Sequence, residues 1–368
     1  MKLFFFLSCI LSLNIAKAQP TYLIVGTYNS PKSEGIYVYS FDATNGTAKE
    51  VSHIKISNPS YLTASRDKRY VYAVSENAGK DAKLMAFSFD HSTGKLTLIN
   101  EQKSGGDHPC HISLDQTGRW LFVSNYTGGN FSRFAINDDG AIGEGITIKH
   151  TGNGPNVERQ ISAHVHGAFI SNNNKKLYVA DLGMDKLMQY NFNAENGMLT
   201  PSEPAYFSSV AGSGPRVLLQ HSDHSYAYLI EELSGTIKVF KKYKKARLEP
   251  IQRISTMPKG DTQFAGSADL QLSSDKKFLY ASNRADANNI AIYKIKGNGK
   301  LKLIAHQSTL GKTPRNFSID PSGKFMLVAN QNSDEIVVFN RDKKTGLLTD
   351  SGNRISVGKA VCLEWIED

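Results

Sequence analysis

The chain has 368 residues, 40% of them hydrophobic and 21% charged, with a formal net charge of +9. That length carries a sizeable core and that composition is ordinary for a soluble globular protein, which excludes a chain too short or too polar to fold. Nucleic-acid binding is not expected, since no recognisable motif accompanies the positive charge, but a positive field attracts anionic small molecules.

The chain opens on Met1-Lys2, runs through an almost unbroken apolar stretch from Leu3 to Ile15, and reaches Ala16-Lys17-Ala18 before Gln19. This pattern predicts a secretory leader over residues 1–18 and an exported, periplasmic or secreted, product. The apolar run is too short to span a membrane, so no stable insertion is expected. Without Lys2 and Lys17 the net charge falls from +9 to +7. Of the three cysteines, Cys9 lies in the leader; Cys110 and Cys362 fit no metal or redox spacing and read as free, buried thiols. The basic run Lys241-Lys242-Tyr243-Lys244-Lys245 reads as a solvated turn.

Beyond the leader, self-similarity dominates. Six apolar runs end in a short polar tag: Tyr70 to Glu76, Trp120 to Tyr126, Lys176 to Asp181, Tyr226 to Glu232, Phe278 to Arg284 and Phe325 to Gln331. They recur at the period of propeller blades. Turn residues precede most of them, as in Asp115-Gln-Thr-Gly118 and Asp320-Pro-Ser-Gly323. A third strand follows each, as in Lys83 to Phe89 and Glu335 to Phe339, and a glycine turn then leads to a fourth, as in Ser92 to Leu98. Four short strands per unit predict an all-β, seven-bladed β-propeller over residues 19–368, in one domain. Six units cover about Asn58 to Leu348. Tyr22 to Tyr28, Gly35 to Phe41 and the C-terminal Ala360 to Trp365 supply a shared seventh blade that closes the ring. Two β-sandwiches are the competing fold, but they do not predict a repeated polar tag.

In a propeller the start of each first strand and the end of each second strand lie at one end of the central channel. The starts carry Pro59, His111, His166, Arg216, Gly266 to Ala268, and Arg315. The ends carry Glu76, Asn125, Asp181, Glu232, Arg284 and Asn330. His164 and His166, at i and i+2 on extended backbone, point to one side. Half-buried arginines need anionic acceptors, so this ring predicts a small anionic ligand.

These stretches resemble the lactonase family of seven-bladed propellers, which includes bacterial 6-phosphogluconolactonase and fungal carboxymuconate cyclase. The resemblance runs over nearly the whole mature chain. It rests on Pro109 to Asp115, Glu158-Arg159-Gln160 with His164-Val165-His166, Gly212 to Arg216, Glu232-Leu-Ser234, Ser282-Asn-Arg284, Pro314 to Gly323 and Val328 to Gln331. It implies a catalytic set of His166, Glu232, Arg216 and Arg284. The other polar groups, His111, His164, Arg159, Glu76, Asn125, Asp181, Arg315 and Asn330, are candidate substrate contacts. Two departures are visible. Glu231 stands where the pattern has a neutral residue, and Gly266-Ser-Ala-Asp269 varies a more Ala-Glu-like start.

Lactone hydrolysis needs an activated water and a stabilised oxyanion. The expected roles are His166 as general base oriented by Glu232, and Arg216 and Arg284 holding an anionic group or the oxyanion. The structural alternative is that these arginines simply pair with Glu232 and Asp181 across the channel. No Gly-x-Ser-x-Gly elbow is present, and His164 and His166 lack a third ligand at metal-site spacing, so neither a serine nucleophile nor a metal or other cofactor is expected. Three function classes follow: a hydrolase of an anionic lactone, a cycloisomerase using the same residues, and a non-catalytic exported binding propeller. An exported address argues against a phosphorylated cytosolic lactone.

Overall fold

The computed structural model describes residues 21–221, 225–243, 247–261 and 263–367. The expected leader and Lys244–Lys245 of the basic run lie outside the described residues. The rest forms seven four-stranded antiparallel sheets arranged as propeller blades. The first strands, Leu62–Ala64, Pro109–Leu114, Val165–Ile170, Pro215–Gln220, Ser267–Leu272, Pro314–Ile319 and Ala360–Ile366, touch their neighbours around the ring and line the channel.

Closure is as the sequence predicts. Thr21–Thr27 pairs with the C-terminal strand, with Tyr22 opposite Ile366 and Val25 opposite Leu363, so the last strand of the chain is the innermost of blade 1. Blades 2 to 7 then follow in chain order. A ring closed in this way pairs the two ends of the chain and leaves only short, protected sheet edges.

The blades are held to one another by apolar faces, one cluster per junction. Val71, Ala73, Met85 and Phe87 of blade 2 pack on Tyr22, Ile24, Ile36 and Val38 of blade 1. Leu23, Val25 and Tyr39 on the other face of blade 1 meet Leu327, Ala329 and Val338 of blade 7. Strands buried on both faces read as continuous apolar runs rather than alternating ones, which is why the six tagged runs are so easily found.

The tyrosine in several of these runs has a specific task. Tyr72, Tyr228 and Tyr280 are fully buried, and each donates its hydroxyl proton to a glycine carbonyl in the next blade's turn: Gly140 (3.2 Å), Gly299 (3.1 Å) and Gly346 (2.9 Å). The aspartates before the runs close tight turns. Asp115 accepts from the backbone N–H groups of Thr117, Arg119 and Trp120 at 2.9–3.0 Å, and Asp320 from those of Ser322 and Phe325. Cys110 and Cys362 are free and buried.

Candidate active site

In five of the seven blades the lead-in aims a side chain into the channel through a β-bulge of one residue. In blade 4, Val165 pairs with Asp181 and Gly167 with Ala180, so His166 falls in the gap of the ladder. The same gap holds Cys110 in blade 3, Arg216 in blade 5, Arg315 in blade 7 and Val361 in blade 1. A bulged residue is left unpaired and its side chain is re-aimed. Just outside, the residue after the second strand ties back to the lead-in in six of the blades. The N–H of Glu232 donates to the Gly214 carbonyl (2.7 Å), that of Glu76 to Asn58 (2.9 Å) and that of Tyr126 to His108 (2.9 Å). Tyr28, Gln331 and Leu182 do the same in their blades. The channel mouth therefore has two tiers of side chains: the bulge residues, and above them Tyr28, Glu76, Tyr126, Leu182, Glu232, Arg284 and Gln331.

One pole of the mouth is built around Glu232, whose side chain is 2% exposed. Its Oε2 accepts from Arg216 Nη1 at 2.5 Å. Its Oε1 accepts from Arg159 Nη2 at 2.8 Å and lies 3.1 Å from Arg284 Nη2. Burial favours the protonated acid, but Arg284, Arg216, the His166 ring and Arg159 outweigh it and hold the carboxyl well below the usual range. Arg216 is fixed at both ends, with Nε donating to the Ala268 carbonyl (2.7 Å) and Nη1 donating to His166 Nε2. Arg284 Nε donates to the Gly266 carbonyl at 2.7 Å. Burial lowers Arg284 to about 10, which leaves it charged at neutral pH. Burial first and Arg216 second push His166 well below the ordinary imidazole range, so the ring is neutral. Gly167 makes the approach of blades 4 and 5 possible: a Cβ there would sit 3.1 Å from the Arg216 carbonyl oxygen and run into the Phe169 ring.

Aromatic packing sets the remaining side of this pole. The Tyr126 ring stacks on His164 (centroids 4.6 Å, 13° between planes) and meets His166 edge-on at 5.5 Å. Its hydroxyl receives Arg159 Nη2 at 3.2 Å. His164 is anchored to the Tyr126 carbonyl through Nδ1 (3.1 Å). The opposite pole, from blades 7, 1 and 2, holds Arg315, Tyr28 and Glu76. Glu76 and Arg315 on one side, Arg159, Arg216, Glu232 and Arg284 on the other, with Tyr126, His166 and Cys110 between them, line a cavity of about 230 Å³. A larger hollow of about 680 Å³ lies between the outer strands of blades 1 and 2, lined by Ile54, Met85, Leu98 and others, but none of the convergent charges face it.

The structure thus brings together His166, Arg216, Glu232, Arg284, Arg159, Glu76 and Arg315, with His164 behind Tyr126. The arginines pair with Glu232 and not with Asp181. Asn125, Asp181 and Asn330, expected in the ring of channel groups, are instead buried between strands. Asn125 Nδ2 donates to the Ser104 carbonyl and to Asn130, and Asn330 Nδ2 to the Thr309 carbonyl. Asp181 holds His150 Nδ1 at 2.7 Å and the His164 N–H at 2.9 Å. Each is the last residue of its strand, and the side chain that reaches the mouth belongs to the next residue. The same one-residue offset hides Tyr126, although Ser-Glu76, Asn-Tyr126, Glu-Glu232 and Asn-Arg284 line up once the tags are superposed, and Tyr28 holds the matching place in blade 1. Glu231 follows the same rule. It is buried at its strand end, where Arg253 Nε (3.1 Å) and Thr236 both donate to Oε2 and Lys238 Nζ lies 4.0 Å from Oε1, so its side chain does not line the cavity. The expected orientation of His166 by Glu232 is also replaced, because the Arg216 guanidinium stands between them.

His111 sits one residue deeper than the bulge, below the mouth, with its ring between Tyr61 (4.7 Å) and Phe169 (4.9 Å). Burial, with Arg216 adding, pushes it down to about 3. The unfolded chain takes up this proton near pH 6.5, so the stability that depends on a neutral His111 is full above 6.5 and drains as pH falls toward 3. Between pH 7.5 and 5 the drain is about 2 kcal/mol. In urea titrations at the two pH values, His111→Phe is expected to lose about 2 kcal/mol less than the wild type. An equal loss would show that His111 is not the group responsible.

A family model described as lactonase, 7-bladed β-propeller, matches residues 22–365. The chain is 38% identical over 335 residues to a 6-phosphogluconolactonase of Formosa agariphila, covering 89% of this chain and 94% of the relative. It is 32% identical over 346 residues to the 6-phosphogluconolactonase of Bacillus subtilis, covering 93% and 97%. Among solved structures, the periplasmic gluconolactonase of Pseudomonas aeruginosa superposes with a TM-score of 0.89 at 34% identity, covering 94% of this chain and 99% of that one. With four arginines lining the mouth of a seven-bladed propeller and a family match from Tyr22 to Trp365, the chain belongs to the lactonase family.

Proposed function

We propose that this chain hydrolyses sugar-acid lactones at the channel mouth. The observation that carries the reading is the charge at the Glu232 pole. Three guanidinium groups surround one carboxylate, and the neighbouring imidazole is neutral, so a buried site keeps two uncompensated positive charges. Hydrolysis of a lactone creates negative charge first on the carbonyl oxygen and then on the product carboxylate. Preorganised cationic donors in a low-dielectric pocket stabilise that charge strongly. The names of the relatives, two 6-phosphogluconolactonases and a gluconolactonase, support the same reaction class.

In the proposed sequence the lactone carbonyl oxygen sits between Arg216 and Arg284. It draws the Arg216 N–H away from His166 Nε2 and frees that lone pair for a water. The water oxygen bonds to the carbonyl carbon as Nε2 takes its proton. The tetrahedral intermediate collapses by breaking the bond to the ring oxygen, and His166 returns the proton to that leaving oxygen. The oxyanion raises the basicity of the adjacent imidazole as it forms, which offsets its low resting value. Glu232 acts on His166 only through Arg216, holding the guanidinium groups in place. Incubating purified protein with glucono-δ-lactone should yield the open aldonate, one acid per lactone, faster than buffer alone, with the product identified by NMR. No acceleration with any aldonolactone, or conversion of the open acid into lactone, would overturn the reading.

A further inference from the structure

The second pole of the mouth contains two groups that the proposed chemistry does not use. Arg315 is 16% exposed along its side chain and lies 5.5 Å above the Tyr28 ring. Its guanidinium approaches Glu76 Oε2 only to 3.8 Å, and among the described residues it makes no hydrogen bond. Every other arginine at the mouth is fixed: Arg216 by Ala268, His166 and Glu232, Arg284 by Gly266 and Glu232, and Arg159 by Tyr126 and Glu232. Glu76 is anchored on one side only. Its Oε2 accepts the Tyr28 hydroxyl proton at 2.7 Å and that of Ser60, while Oε1 accepts no hydrogen bond among the described residues. Both residues line the cavity.

A half-buried guanidinium without hydrogen bonds is costly unless a ligand completes it. Here the open donors stand beside an open acceptor of opposite charge. A lone phosphate would satisfy the donors but bring its own charge against Glu76, since a phosphate monoester carries about −1.5 to −2 at pH 7. A run of hydroxyls satisfies both, because each hydroxyl accepts from Arg315 and donates to Glu76. We infer that the Tyr28–Glu76–Arg315 pole reads the hydroxylated tail of an uncharged sugar lactone, and that Glu76 is the residue that discriminates against a phosphorylated tail. This rests on the lactone reading above and deepens it. The relatives do not decide the point, since they are named for both the phosphorylated and the unphosphorylated substrate. Specificity of this kind is set as much by the repulsion built against the wrong ligand as by attraction to the right one.

The test is the ratio of kcat/KM for glucono-δ-lactone to that for 6-phosphoglucono-δ-lactone, measured in the wild type and in Glu76→Gln. A ratio on one enzyme sample is independent of the fraction correctly folded, so a loss of stability cannot mimic the result. The wild type should favour the unphosphorylated lactone. Glu76→Gln removes the charge and keeps the shape, and should shift the ratio toward the phosphorylated substrate at least about tenfold, mostly through KM. An unchanged ratio, or a wild type that prefers the phosphorylated lactone, overturns the assignment while leaving the hydrolase reading intact. Hydrolysis of neither lactone by the wild type removes both.

Discussion

Glu232→Ala should lose about a thousandfold in kcat/KM and about 3–5 kcal/mol of stability. The carboxylate is buried and is the common partner of Arg159, Arg216 and Arg284. Truncating it leaves three cations facing one another with no counter-charge, the situation in which removal of one buried partner is most destabilising. The rate falls because the guanidinium groups that receive the oxyanion lose the group that fixes their spacing, and each misplaced donor costs about a hundredfold or more. Urea unfolding and acid release at fixed pH measure the two effects separately. Glu232→Gln keeps the size and one acceptor, and should retain more stability than activity. An alanine variant within tenfold of the wild-type rate would mean that Glu232 has no part in arranging the oxyanion site.

The second large effect is at His166. His166→Ala should lower kcat by about 10²–10⁴-fold with a smaller change in KM, the range expected for a positioned general base. His166→Gln separates two roles. Its side-chain oxygen can still accept the Arg216 N–H, so a purely positioning role would be rescued by glutamine, whereas a base would not. We expect stability to recover and the rate to stay low. The pH profile adds a signature. Burial and Arg216 hold the free imidazole well below its ordinary value, so it remains the unprotonated form as pH falls. Activity that depends on it should therefore stay level from pH 8 to about 5.5, where an unperturbed histidine near 6.5 would have lost most of its basic form. A halving of kcat/KM near pH 6.5 would show that the ring titrates normally.

Much of this architecture is legible in the chain itself. Strands buried on both faces leave uninterrupted apolar runs, and similar geometry in each blade leaves a similar turn and polar tag, with a tyrosine at the third place in four of the six runs. The cluster of His166, Arg216, Glu232 and Arg284 was legible because each of the four sits in a locally distinctive stretch. What the pattern conceals is parity. A β-bulge inserts one residue into five of the lead-ins, and side chains alternate faces along a strand, so a single-residue offset exchanges a channel group for a structural one. Asn125-Tyr126, Glu231-Glu232 and Asn283-Arg284 place polar or aromatic residues at both positions, and sequence alone does not say which faces the ligand. The pairing of partners from different blades is equally hidden, since it depends on the ring. Arg216 standing between His166 and Glu232 is such a case.

The most direct measurement is the initial rate of acid release from glucono-δ-lactone at constant pH by the wild type and His166→Ala, each corrected for spontaneous ring opening. The wild-type rate should lie well above background and the variant rate close to it. Equal rates for the two proteins on every aldonolactone would contradict the claim that this cluster at the channel mouth is where lactones are opened.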